Sequence, residues 1–222
     1  MSIVNIFVKS SFHGNKVYQQ RIVIISQFPF VDYASICKRY ACFLMAELHI
    51  LGQLQCASNF QDKSALFCRY SFQAGPNWTV VTGCPEGQTV SGKLDYEKTV
   101  VWAHPLDIHY VTKGVQGWPK LLVQVSCLDS IGRSWIVGYG CCTLPAVPGP
   151  HIFHVNCWIP TSTSITDRIR QYFLGGSHQL IQSDIVNLGL NRFKLKTQSK
   201  GTVQLQVNLL LRNFSQFGVE YK

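Results

Sequence analysis

Apolar and polar residues alternate along 202–212: Val203, Leu205, Val207, Leu209 and Leu211 on one side, Gln204, Gln206 and Asn208 on the other, until Leu210 breaks the rule. Successive side chains of a strand point to opposite faces, so a period of two predicts a strand with its apolar set in a core. Residues 120–128 repeat the pattern, with Leu121, Val123, Val125 and Cys127 inward against Leu122, Gln124 and Ser126. The turn Asp129-Ser130-Ile131-Gly132 then reverses the chain, because Asp at its first position and Gly at its fourth suit a type I turn. Residues 135–144 return as the second arm of a hairpin. Further strands are predicted over 47–56, 66–73, 77–82, 99–110, 151–159 and 192–197, divided by Gly- and Pro-bearing turns.

Three interruptions qualify this pattern. His104-Pro105 breaks 99–110, and a proline lacks the donor that a central ladder needs, which predicts an edge or a bulge there. Residues 83–92 read as a loop, and Gln198-Ser199-Lys200-Gly201 as a turn between the last two strands. One short helix near residues 164–174 stands out: Ser164 caps it, Ile165, Ile169, Tyr172 and Phe173 share a face, and Gly175-Gly176 ends it. The expected fold is all-β, an antiparallel β-sandwich with one short helix. Residues 1–44 show no sustained period, although 21–26 reads as a strand. Met45, the second of two methionines, stands directly before the first clear strand. The chain is therefore read as an N-terminal extension over 1–44, an alternative or mispredicted start, and a domain over 45–222.

Composition agrees with a packed core: 46% of residues are hydrophobic and 14% charged. No apolar run approaches the ~20 residues of a membrane-spanning helix. The net charge of +9 admits nucleic acid, an anionic surface or an acidic partner, but its spread argues against a nucleic-acid groove. Lys9, Lys16, Arg21, Lys38 and Arg39 fall in the extension. The densest cluster is Arg192, Lys194, Lys196 and Lys200, a candidate anionic-surface patch or simply a solvated strand face. Nine cysteines, an odd count with no Cys-x-x-Cys, read as free thiols in a reducing compartment. Cys141 and Cys142, as neighbours, point to opposite strand faces.

Candidate chemistry is sparse. His104 and His109 flank Asp107, while His151 and His154 stand three apart and so face opposite sides of a strand. No activated nucleophile, phosphate loop or His-Glu-x-x-His accompanies them, so no catalytic residue is assigned. Calcium needs six to eight oxygens, whereas Asp62, Asp95, Asp107 and Asp129 are scattered and no Asp-x-Asp occurs. No metal site and no cofactor is expected. Trp102, Trp118 and Trp158 read as core anchors. The tail from 213 to 222 holds Phe214, Phe217 and Tyr221, a candidate docking tail unless it closes the domain's own sandwich.

Several stretches carry a resemblance: Met45-Ala-Glu-Leu-His-Ile-Leu-Gly-Gln53, Trp102-Ala-His104-Pro105-Leu-Asp107-Ile-His109, Lys113-Gly-Val-Gln-Gly117-Trp118-Pro119, Asp129-Ser-Ile-Gly-Arg133, Gly138-Tyr139-Gly140 and Leu209-Leu-Leu-Arg-Asn-Phe214. In this order, residues 45–222 resemble the B9 domain family, a divergent C2-type β-sandwich of ciliated eukaryotes. The resemblance implies a non-enzymatic scaffold subunit. It would assemble with sister B9 proteins, namely B9 domain-containing protein 1 and the Meckel syndrome type 1 protein. Its place would be the Meckel syndrome module and tectonic-like complex of the ciliary transition zone, by the basal body, in the cytoplasm and cytoskeleton. That module supports ciliogenesis and the ciliary diffusion barrier. Gamma-tubulin and anionic lipid are further contacts the resemblance admits, and the alternative function is a phospholipid-binding C2-type module.

Overall fold

The computed structural model describes residues 4–6, 22–24, 45–60, 64–161, 166, 169, 180 and 195–219. The chain divides into two compact units, Met1–Phe43 and Leu44–Lys222. In the first, β1 (Val4–Ile6) and β2 (Ile22–Ile24) pair antiparallel, with Val4 opposite Ile24.

The second unit is one antiparallel sheet of nine strands that curls into a sandwich. Its strands are β3 (Ala46–Ser58), β4 (Ala65–Gln73), β5 (Trp78–Gly83), β6 (Glu86–Gln88), β7 (Thr99–Thr112), β8 (Lys120–Leu128), β9 (Ser134–Thr143), β10 (Gly149–Pro160) and β11 (Thr197–Arg212). They are ordered β5-β7-β3-β11-β10-β9-β8-β4-β6. The first five strands of that order make one leaf and the last four the other. The leaves stay joined where β10 meets β9, with Trp158 opposite Tyr139.

One core lies between the leaves. Leu48, Ile50 and Leu54 of β3, Ile108 of β7 and Val203, Leu205, Val207 and Leu209 of β11 face Leu66 and Cys68 of β4 and Leu121, Val123, Val125 and Cys127 of β8. The alternation predicted for 120–128 and 202–212 is the observed inward set. Cys142 packs against this core, and Cys141 packs on the outer face beside Leu122, Tyr139 and Trp158. After β11 a 3-10 turn, Phe214–Phe217, folds back between Asn213 (φ 61°) and Gly218 (φ 74°). It seats Phe214 in the core, 5.8 Å from the Trp118 ring and 6.4 Å from that of Trp78.

Two local expectations change, and the bulge expected at His104-Pro105 is present. The loop expected over 83–92 contains β6, a short edge strand with Tyr70 of β4 opposite Gly87. Its Glu-Gly-Gln composition has no apolar face to announce it. The turn expected at 198–201 is absent, because β11 runs unbroken through it. Lys200 and Gly201 together oppose the single Cys157 of β10 in a bulge. Gly201 serves close packing here: a Cβ on it would lie 2.4 Å from the Phe60 ring. The break at His104-Pro105 is a bulge inside a continuous β7. Trp102 and Ala103 oppose the single Gln55 of β3, and Ala103 takes φ 45°. Pro105 lies beyond Ile108, the last β7 residue that β5 pairs, so no donor is needed on that side. The helix expected near 164–174 lies outside the described residues apart from Thr166 and Ile169, both helical.

Candidate functional site

The outward sides of β7, β3, β11 and β10 form one continuous four-strand face of the described domain. Strand alternation decides what it shows. Residues 48, 50 and 54 of β3 go into the core, so Glu47, His49, Leu51 and Gln53 go outward. Register places His49 opposite His109 of β7 and Leu210 of β11, and Leu51 opposite Asp107 and Asn208. Two amide ladders cross the face: Gln53 donates to Gln206 at 3.2 Å, and Gln204 donates to Gln55 at 3.0 Å. Exposed apolar groups sit among them, with Leu51 38%, Leu210 48% and Ile152 60% accessible. A shallow groove of about 330 Å³ runs between Leu51, Gln53, Pro105, Pro150, Gln206 and Asn208.

At one end of this face Glu47, His49 and His109 converge. The imidazoles stack with centroids 3.6 Å apart and planes 18° from parallel. The Glu47 carboxylate is buried, 3.7 Å from His109 Nε2 and 3.7 Å from the Arg212 guanidinium. Burial, then the adjacent His49, hold the His109 pKa below its ordinary value against the opposing pull of Glu47 and Asp107. The opposite leaf carries an open depression of about 540 Å³ beside Arg69, Glu86, Gln88, Gln124 and Tyr139. Arg69 there donates to Gln88 at 2.9 Å.

Of the residues that carry the resemblance, Trp102, Pro119, Gly138, Tyr139 and Gly140 are buried, His104, Trp118 and Asp129 half-buried, and Pro105, Asp107 and Gly117 exposed. Trp102 is buried and donates through Nε1 to the Leu66 carbonyl at 3.0 Å. His104 Nε2 is 3.3 Å from the Tyr70 hydroxyl. Trp118 meets Trp78 edge-on at 5.2 Å. Gly117, at φ 78°, lets the backbone approach Gly75, where a Cβ would stand 2.5 Å from the Gly75 Cα. Pro119 is buried and its carbonyl accepts from Leu144 at 3.3 Å. Gly138 and Gly140 make room for Phe60, Val123, Val155 and Cys157. Tyr139 faces the other way, onto Trp158, and its hydroxyl accepts from the Leu180 amide at 3.2 Å.

The carboxylates weighed for calcium lie apart. Asp129 accepts from the Ser130 amide at 2.7 Å and from Arg133 at 3.0 Å within its own turn. Asp95 accepts from the Tyr96 amide at 2.8 Å. Asp107 stands exposed in mid-strand, and Asp62 is outside the described residues. Of the basic patch, Lys196 is exposed and Lys200 half-buried, while Arg192 and Lys194 lie outside the described residues. Of the candidate docking tail, Phe214 is core, Phe217 is half-buried against it, and Tyr221 is outside the described residues. Phe214 is therefore not a free docking group, because its ring is already enclosed by Trp78 and Trp118. Sequence reasoning passed over Glu47, His49 and Arg212. Its available signal was the pair of same-face doublets, Glu47/His49 and Asp107/His109, which only the register brings side by side.

Comparison with known proteins gives the context for this surface. The family described as "Ciliary basal body-associated, B9 protein" matches residues 48–210. Human B9 domain-containing protein 2 is 42% identical over 176 residues, covering 79% of this chain and 99% of that protein. B9 domain-containing protein 1 of Xenopus laevis is 29% identical over 173 residues, covering 77% of this chain and 87% of that protein. Among solved structures, a C2 domain of plant Extended Synaptotagmin 1 superposes with a TM-score of 0.41 at 11% identity, over 75% of this chain and 94% of that one.

Proposed function

The chain belongs to the B9 protein family, and from that premise we propose that it is a non-enzymatic scaffold subunit of the ciliary transition zone. It assembles there with sister B9 proteins, B9 domain-containing protein 1 and the Meckel syndrome type 1 protein, and through them with the tectonic-like membrane complex. Its task is to support ciliogenesis and the ciliary diffusion barrier. The family's association with the ciliary basal body supports this location.

The observation that carries the reading is the outward face of β7, β3, β11 and β10. Leu51, Ile152 and Leu210 stand exposed beside uncharged Gln53, Gln206 and Asn208, with Asp107 opposite Leu51 as a flanking charge. Apolar anchors among uncharged amides, with charges toward one side, have the composition of an interface core and its rim. The occupant is a sister B9 domain. A flat leaf with side-chain amides already paired across strands loses little conformational freedom when a second surface covers it.

The test is co-expression of the full chain with both sister proteins, followed by size-exclusion chromatography. A stable co-eluting complex is expected, and Leu51→Asp with Leu210→Asp should abolish it while leaving the domain folded, since both side chains are exposed. A complex indifferent to the paired substitution would remove this face from the interface. A folded monomer that ignores both sisters would refute the assembly reading, and binding to anionic vesicles would then become the leading function.

A further inference from the structure

We propose that Glu47, His49 and His109 form a binding site for a divalent transition-metal ion of the zinc class on the outer face of the sandwich. The three side chains offer one ligand atom each, all within 4.8 Å of one another. Their placement follows from the fold. His49 and His109 are directly opposite residues of neighbouring antiparallel strands, and Glu47 lies two residues before His49 on the same face. Two imidazoles and one carboxylate suit zinc and its neighbours, whereas calcium and magnesium require an all-oxygen set.

A second observation points the same way. His109 Nε2 is buried and has no hydrogen-bond partner. Its separation of 3.7 Å from Glu47 is too long for a hydrogen bond. A buried polar atom without a partner is costly, and a bound ion would satisfy it. Ligand atoms about 2.0–2.1 Å from a tetrahedral ion stand about 3.3 Å apart. Binding therefore requires the three side chains to close in from the observed spread.

The other charged groups on this face set the competition. Arg212 shares the Glu47 carboxylate, and its side chain is 63% exposed, so it can swing into solvent as the ion enters. Asp107, opposite Leu51, adds negative potential beside His109. Three protein ligands leave a tetrahedral ion one open position, as in zinc sites that accept water or an incoming side chain.

The experiment titrates the chelator-treated full chain with zinc alone, against a competing chromogenic chelator near neutral pH. Cobalt substitution supplies a spectrum of the ligand set. The chain's free cysteines are the competing ligands, so Cys84→Ser, which removes an exposed thiol, is the control. One equivalent of zinc is expected, unaffected by Cys84→Ser. Cobalt should show d–d absorption without sulfur charge transfer. His49→Ala and His109→Ala should each weaken zinc by at least the roughly 10–100-fold that even outer-shell changes cost. Glu47→Gln keeps side-chain volume and serves as the reporter if either histidine variant misfolds. No stoichiometric binding at micromolar zinc, a thiolate band in the cobalt spectrum, or affinity unchanged in folded Glu47→Gln would each overturn the proposal.

Discussion

Phe214→Ala decides whether the C-terminal aromatic residues belong to the domain or to a partner. The Phe214 side chain is 1% exposed and sits within ring distance of Trp78 and Trp118. Burying a Phe is worth about 1.5–3 kcal/mol from transfer alone. Truncation adds a cavity between two rigid indoles that cannot collapse into it, which brings the cost to about 3–5 kcal/mol. That is a large share of a typical domain stability of about 5–15 kcal/mol. With a urea slope of about 2–3 kcal/mol/M, the midpoint should fall by about 1–2 M without a change in slope. Phe217→Ala, at a half-buried position, should cost roughly half as much. Equilibrium urea unfolding followed by tryptophan fluorescence and circular dichroism measures both. An unchanged midpoint in Phe214→Ala, with partner binding lost, would refute the packing argument and return the tail to the interface.

Other consequences follow from single positions. Gly201→Ala puts a methyl 2.4 Å from the Phe60 ring and 2.6 Å from the Ser58 carbonyl, so it should destabilise by about 1–3 kcal/mol in urea unfolding; in a solvent-exposed turn the change would be nearly silent. Native-state alkylation read by mass spectrometry should modify exposed Cys84 well before Cys68 and Cys157, whose thiols burial pushes up, that of Cys157 to about 12. Asp129 is held below the usual carboxylate range chiefly by its hydrogen bond from Arg133, then by the Ser130 amide. A depressed folded pKa means its contribution is present above the unfolded value and is lost as pH falls through the folded one. Arg133→Gln should therefore move the Asp129 titration upward toward the ordinary range, as read by carboxyl NMR, and an unmoved titration would assign the shift elsewhere.

How far the sequence reveals this fold depends on whether a feature is local. β8 and β11 were legible because each buries one face, and a half-buried strand writes its period into consecutive residues. The turn at 129–132 was legible because its bonds join near neighbours: the Gly132 amide donates to the Asp129 carbonyl at 3.0 Å. β6 was not legible, since an edge strand of Glu86, Gly87 and Gln88 buries almost nothing. The residues 198–201 misled for a different reason. Gln-Ser-Lys-Gly has turn composition, but Gly201 is small to admit Phe60, a residue more than a hundred positions away.

The same distinction separates the stretches that carry the resemblance from the surface. Gly117, Trp118, Gly138 and Gly140 stand out in the sequence because close packing restricts them to unusual residue types, and all of them are spent on building the sandwich. None of them tells what the sandwich meets. The surface chemistry resides in cross-strand neighbours: His49 with His109, Glu47 with Arg212, Gln53 with Gln206. Each partner alone is an ordinary outward polar residue on an alternating strand. The pairs exist only because β3 lies between β7 and β11, with sequence separations as large as 165 in the Glu47–Arg212 contact. A one-residue slip of β3 would keep every composition statistic and turn His49 into the core. The inward alternation that buries Leu48 and Ile50 is therefore what fixes the outer constellation, and the core specifies the site without touching it.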